Sequence, residues 1–209
     1  MKITLFGFGA FPGIPVNFTG QLVHDVSSFS NSYPVSLESF VLPVVFETCG
    51  QFVRSYIETS SPDFVIIAGI KRKSTEINLE RVALNILHSY GTDASGKIIR
   101  DCFISPKGKE AFFCPLDLSA LESVLTANNI PSRVTFHSGT YVCNQAYYSA
   151  CSIMHEKTGS PSALLVHYPM VADENPLPVS ATGMRHSDAV CALRLIIQFV
   201  CAVYGIQEA

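Results

Sequence analysis

Five short apolar runs set the limits on what this chain can fold into: KITLFGF from Lys2, FVLPVVF from Phe40, DFVIIAG from Asp63, RVTFH from Arg133 and ALLVHY from Ala163. Most lack a polar alternation, which is the pattern of strands covered on both faces of a sheet. Stretches with helical spacing lie between them, over residues 21–28, 47–59, 80–89, 118–128, 144–157 and 187–204. Strand and helix alternating along the whole chain predict an α/β fold, a three-layer α/β/α sandwich around a mostly parallel, mixed sheet. At 209 residues the chain is long enough for one sizeable core and short for two, so a single domain over 1–209 is expected.

Two segments break the alternation. Residues 90–113 are turn-rich, and IIRDCFI with EAFFCPL reads as a hairpin lying outside the main sheet. The stretch VADENPLPVSATGM from Val171 reads as a long loop. In open α/β sheets such loops, beyond the carboxyl ends of strands, are where sites are built.

Composition narrows the partners. Hydrophobic residues make up 48% and charged residues only 15%, which implies a large buried fraction and apolar surface given to partner subunits in a homo-oligomer. A formal charge of −3 gives no basic face for nucleic acid, and the one basic cluster, Lys71-Arg72-Lys73, is too short to supply one. The N-terminal apolar run is interrupted by Gly7, Gly9, Pro12 and Gly13 and reads as a first strand, not a leader. The last apolar tract, residues 189–205, carries Arg194 and Gln198 and falls short of a bilayer span, so a buried or interface helix is expected and no membrane partner. Seven cysteines, odd in number and without paired spacing, suit a reducing cytoplasm. No metal or cofactor is expected: the six histidines are scattered, GFGAFP places Pro12 at the third glycine position of a dinucleotide fingerprint, and GIKRKST lacks the ending of a phosphate loop.

The chemistry concentrates on three residues. Ser138, Gly139 and Thr140 form a turn after RVTFH, and the helix that follows begins within a residue of Cys143. A helix N-terminus lowers a thiol pKa and offers free N–H groups to an oxyanion, so Cys143 has a nucleophile's position; a small buried cysteine would satisfy the same pattern. Cys151, two turns further on, reads as packing. His167 ends the last strand before a long loop and, beside Cys143, could take its proton and return it to a leaving amine; a core histidine is the alternative. Glu80, opening the 80–89 segment, is one carboxylate able to fix that histidine's tautomer, or else a helix-start dipole partner.

Taken together, SGTYVCNQAYY, LERVALNI, LLVHYP and FGFGAFPGIPVNFTG resemble the nucleophile, glutamate, histidine and N-terminal segments of the pyroglutamyl peptidase I (pyrrolidone-carboxylate peptidase) family, in the same order and over nearly the whole length. The resemblance implies a cytosolic cysteine exopeptidase with a Cys143–His167–Glu80 triad, removing an N-terminal pyroglutamyl residue from peptides through a thioester. It also implies a lactam pocket formed by Phe8, Phe11, Tyr141 and Val142, with Asn17 bracing it, and a homotetramer. A small neutral ring calls for aromatic walls and a few hydrogen bonds, not a charged clamp. The sequence departs from the family at several positions: Ile70 stands where a substrate-orienting glutamine is usual, Tyr90 where an arginine near the oxyanion is usual, AFPG where the turn is usually P-F-G-G, and NFT where N-P-S is usual. These departures keep two other readings open, an amidase or thioesterase acting on another small acyl group, and a non-catalytic relative that binds capped peptide ends.

Overall fold

A computed structural model describes residues 1–28, 35–171 and 183–205; most of the loop expected from Val171 lies outside them. The elements in chain order are β1 (Lys2–Phe8), α1 (Phe18–Ser28), β2 (Ser36–Leu42), α2 (Phe46–Ser60), β3 (Phe64–Ile70), β4 (Ile77–Glu80), β5 (Val82–Leu84), β6 (Ala111–Phe113), α3 (Leu118–Ala127), β7 (Ser132–Thr135), α4 (Val142–Thr158), β8 (Ala163–Tyr168) and α5 (His186–Val203). Six strands form one sheet in the order β2-β1-β3-β8-β4-β7. The first four run parallel; β4 is antiparallel to β8, and β7 is parallel to β4. This is the mixed, mostly parallel sheet that the sequence predicts.

Strand periodicity divides the core into two layers. Ile3 and Leu5 of β1, Phe64, Ile66 and Ala68 of β3, and Leu164 and Val166 of β8 face α1, α3 and α5. Their alternating neighbours Phe6, Phe8, Val65, Ile67 and Leu165 face α2 and α4. Both faces are covered, which accounts for the unbroken apolar runs in the sequence. The 18-residue α5 is long and apolar enough to cross a membrane, yet it packs a stripe from Ala189 to Cys201 into the first layer. At Gly7 the backbones of β1 and α1 meet so closely that a β-carbon would lie 2.2 Å from the Thr19 carbonyl oxygen. That glycine serves helix–strand packing.

Three local expectations need correction. The segment 80–89 is not a helix: Ile77 and Leu79 alternate into the core as β4, Glu80 ends that strand, and Val82–Leu84 is β5. The hairpin outside the main sheet exists, but β6 pairs with β5, while Cys102 of the expected first arm makes only an isolated bridge to Leu87. The second strand spans 36–42 and not 40–46, because Pro43 cannot donate to the ladder and α2 begins at Phe46.

Candidate active site

The site forms where the α4 N-terminus meets the ends of β3 and β8. Register sets its floor: in the β3–β8 pairing Gly69 lies opposite His167, and in the β4–β8 pairing Asn78 does. Strand alternation turns His167 toward α4, whose second residue is Cys143. Gly69 makes room for their meeting. A β-carbon there would lie 3.1 Å from Cys143 Sγ and 3.2 Å from His167 Nε2, so both reactive atoms face the same small space over the glycine backbone.

Behind the histidine the arrangement is fully buried. His167 Nδ1 lies 2.8 Å from Glu80 Oε1, and Glu80 has no solvent exposure. A ring nitrogen bonded to a carboxylate carries the proton, which leaves Nε2 as the basic nitrogen on the Cys143 side. Glu80 is itself held from two other strands and a loop. Thr135, its register partner on β7, donates from Oγ1 to Oε2 at 2.5 Å, and Lys71 Nζ approaches Oε1 at 3.3 Å. Lys71 also donates to Asn78 Oδ1 at 3.4 Å, and Asn78 donates to Ser74 Oγ at 2.6 Å. Burial pushes the Glu80 carboxyl up, but His167, Thr135 and Lys71 outweigh it and its pKa is lowered. None of these supporting residues follows from the sequence motifs: Thr135 becomes visible only once β4 and β7 are placed in register.

The thiol departs from the sequence expectation. Burial, and then the negative charge of Glu80, push Cys143 up to about 12, against a smaller lowering from a backbone N–H. The helix terminus does not overcome that upward push, although Cys143 is partly exposed, and the sulfur calls for a base within reach. The N–H groups of the first turn of α4 have no carbonyl partner within the helix and remain available for an oxyanion.

Other elements fix the α4 terminus. Asn144, wholly buried, accepts from Leu84 N at 3.0 Å and from Ser138 Oγ at 3.1 Å, and donates to the carbonyls of Leu84 and Ile86 at 2.9 and 3.0 Å. It fastens the residue after Cys143 to β5. Thr140 donates to the His88 carbonyl at 2.7 Å and closes the turn before the helix.

The expected pocket residues divide into three groups. Phe11 and Tyr141 stand together, their ring centroids 6.4 Å apart, and Tyr141 meets Phe46 edge-on at 5.2 Å, while its hydroxyl donates to the Thr92 carbonyl. This aromatic wall adjoins Cys143, and Phe46 is a member that the sequence did not point to. Phe8 and Val142 are buried in the core layer beneath it. Asn17 donates to the Gly9 carbonyl at 3.0 Å and accepts from Thr19, so it braces the loop after β1. Ile70 is not brought into the group: its side chain packs against the other core layer, on the far face of the sheet from Cys143. Tyr90 is 89% exposed and meets His88 at a tilted angle, with the Arg100 guanidinium over its ring.

Known proteins resemble this chain over most of its length. The family model described as pyroglutamyl peptidase matches residues 1–202. A pyrrolidone-carboxylate peptidase of Levilactobacillus brevis is 29% identical over 206 residues, covering 98% of this chain and all of the relative. One from Pseudomonas fluorescens is 30% identical over 149 residues, covering 71% of this chain and 70% of the relative. The crystal structure of pyrrolidone carboxyl peptidase from Fervidobacterium islandicum superposes with a TM-score of 0.88 at 29% identity, over 97% of this chain and 99% of that one.

Proposed function

The chain belongs to the pyroglutamyl peptidase family and is a cysteine exopeptidase that removes an N-terminal pyroglutamyl residue, and from that premise we propose that Cys143 is its nucleophile, His167 its base and acid, and Glu80 the group that orients His167. The observation that carries the assignment is the convergence of Cys143 Sγ and His167 Nε2 over Gly69, with His167 Nδ1 held 2.8 Å from Glu80.

The Cys143 proton passes to His167 Nε2 as the sulfur adds to the pyroglutamyl carbonyl carbon. The carbonyl oxygen takes up the electron pair and is met by first-turn N–H groups of α4, the Cys143 N–H among them. Collapse of the tetrahedral adduct breaks the C–N bond, and His167 returns the proton to the leaving amine. Water, deprotonated by the same nitrogen, then adds to the thioester carbonyl; the C–S bond breaks, pyroglutamate is freed and His167 returns the proton to the Cys143 sulfur. Glu80 keeps the Nδ1 proton in place throughout and stabilises the imidazolium in each half-reaction. Phe11 and Tyr141, backed by the buried Phe46, supply apolar aromatic walls suited to a neutral lactam ring.

All seven cysteines are free, which supports a reducing, cytoplasmic setting. The apolar composition supports a homo-oligomer. The assignment is tested by fluorophore release from a pyroglutamyl-aminocoumarin under reducing conditions, beside Cys143→Ala and His167→Ala. Turnover is expected in the parent and a loss of at least about a thousandfold in each variant. Undiminished turnover in Cys143→Ala would remove the nucleophile from the scheme.

A further inference from the structure

The basic run Lys71-Arg72-Lys73 has no part in the scheme above, yet it follows the strand whose Gly69 underlies Cys143 and His167. It continues β3 directly past Gly69, with the Lys71 N–H bonded to the Tyr168 carbonyl at 2.9 Å. Lys71 is committed to the buried Glu80 carboxylate. Arg72 and Lys73 are exposed, and neither enters an ion pair or side-chain hydrogen bond among the described residues. Arg72 does not extend at random: its guanidinium lies over the Gly13 turn, where a β-carbon would be 3.3 Å from Nη1. That turn belongs to the loop closed by the Phe11–Ile14 bridge, and Phe11 is the residue that faces Tyr141. The loop after β3 therefore brings the uncommitted charge of Arg72 against the loop after β1, which carries Phe11 of the aromatic wall, on a chain whose formal charge is −3.

The chemistry of the substrate says what this charge can read. A pyroglutamyl residue is a neutral lactam without an α-ammonium group, so the acyl half offers the cations neither attraction nor repulsion. The only charge on the substrate lies beyond the scissile bond, on the half that leaves. Resting on the peptidase reading above, we infer that Arg72 and Lys73 select pyroglutamyl peptides whose leaving half carries a carboxylate close to the scissile bond. Two sources would supply it: an acidic side chain, or the free terminus of a very short peptide.

Three substrates separate these sources: pyroglutamyl-glutamine amide, which is neutral, pyroglutamyl-glutamate amide, and pyroglutamyl-glutamine with a free carboxyl terminus. The kcat/KM of each charged substrate is divided by that of the neutral amide within the same protein, so a variant that folds poorly still reports. At low salt at least one ratio is expected to be about three to ten, falling toward one at high salt and in the Arg72→Gln/Lys73→Gln double variant. The arm that carries the preference identifies the source. Ratios near one in the parent, or a preference that survives in the double variant, would overturn the inference. Failure to cleave even the neutral amide would overturn the peptidase reading and take this inference with it.

Discussion

At the scale of single residues the site depends on an absence. Gly69 sits in the middle of the sheet, where a side chain would ordinarily help to fill the core, and its missing β-carbon is the space in which sulfur and imidazole meet. An alanine there would stand 3.0 Å from His167 Cδ2 and 3.1 Å from Cys143 Sγ, tighter than ordinary contact, with neither neighbour free to retreat: the histidine is pinned by Glu80 and the cysteine by its helix. Displacing a nucleophile or base by about 1 Å is enough to cost on the order of a hundredfold in rate. Gly69→Ala is therefore expected to lower kcat for a pyroglutamyl-aminocoumarin by about a hundredfold, while its circular dichroism spectrum stays that of the parent. Retention of more than about half the parent kcat would mean that the two groups do not share this space in the reacting enzyme.

At the scale of elements, α4 is useful only because β5 holds its end. Asn144 meets two backbone groups of Leu84, one of Ile86 and the Ser138 hydroxyl, and Asn144 and Ser138 are themselves buried. Asn144→Ala strands several polar groups at once, and urea unfolding is expected to report a loss of about 3 kcal/mol with an unchanged m-value. A loss under about 1 kcal/mol would mean that water replaces the side chain. This element also marks where the sequence stopped being readable. Cys143 and His167 were legible because each ends or begins an element with a clear periodic signature. Glu80 was legible as a residue but not in its setting: Val82, Leu84, Ile86 and Leu87 mimic helical spacing, and only pairing with β8, β7 and β6 makes the segment two short strands. The edge strand β2 was read four residues late because its half-exposed Ser36, Glu38 and Ser39 carry no apolar run. Thr135 and Lys71 reach Glu80 from other parts of the chain, and contacts of that kind leave no local signal.

At the scale of the whole molecule, the cluster around Glu80 is also part of what holds the sheet together against acid. Glu80 is contacted from β8 by His167, from β7 by Thr135 and from the β3–β4 loop by Lys71, so one buried carboxylate joins the parallel half of the sheet to the antiparallel half. Burial alone would raise its pKa, yet these partners bring it below the ordinary value. The folded state therefore binds this proton less readily than the unfolded chain, where a glutamate titrates near about 4.3. It follows that ionised Glu80 stabilises the fold above that pH, and that the contribution is lost as pH falls through the lower, folded value. Glu80→Gln should then lower the melting temperature at neutral pH, where a charged hydrogen-bond acceptor is replaced by a neutral amide facing the same donors. On acidification from about pH 5 to about pH 3 the parent should lose melting temperature faster than the variant, so that the two curves converge. Other acidic groups titrate equally in both proteins and cancel in the difference. Parallel curves across that range would mean that Glu80 keeps an ordinary carboxylate pKa in the folded protein and that the sheet is joined by packing alone.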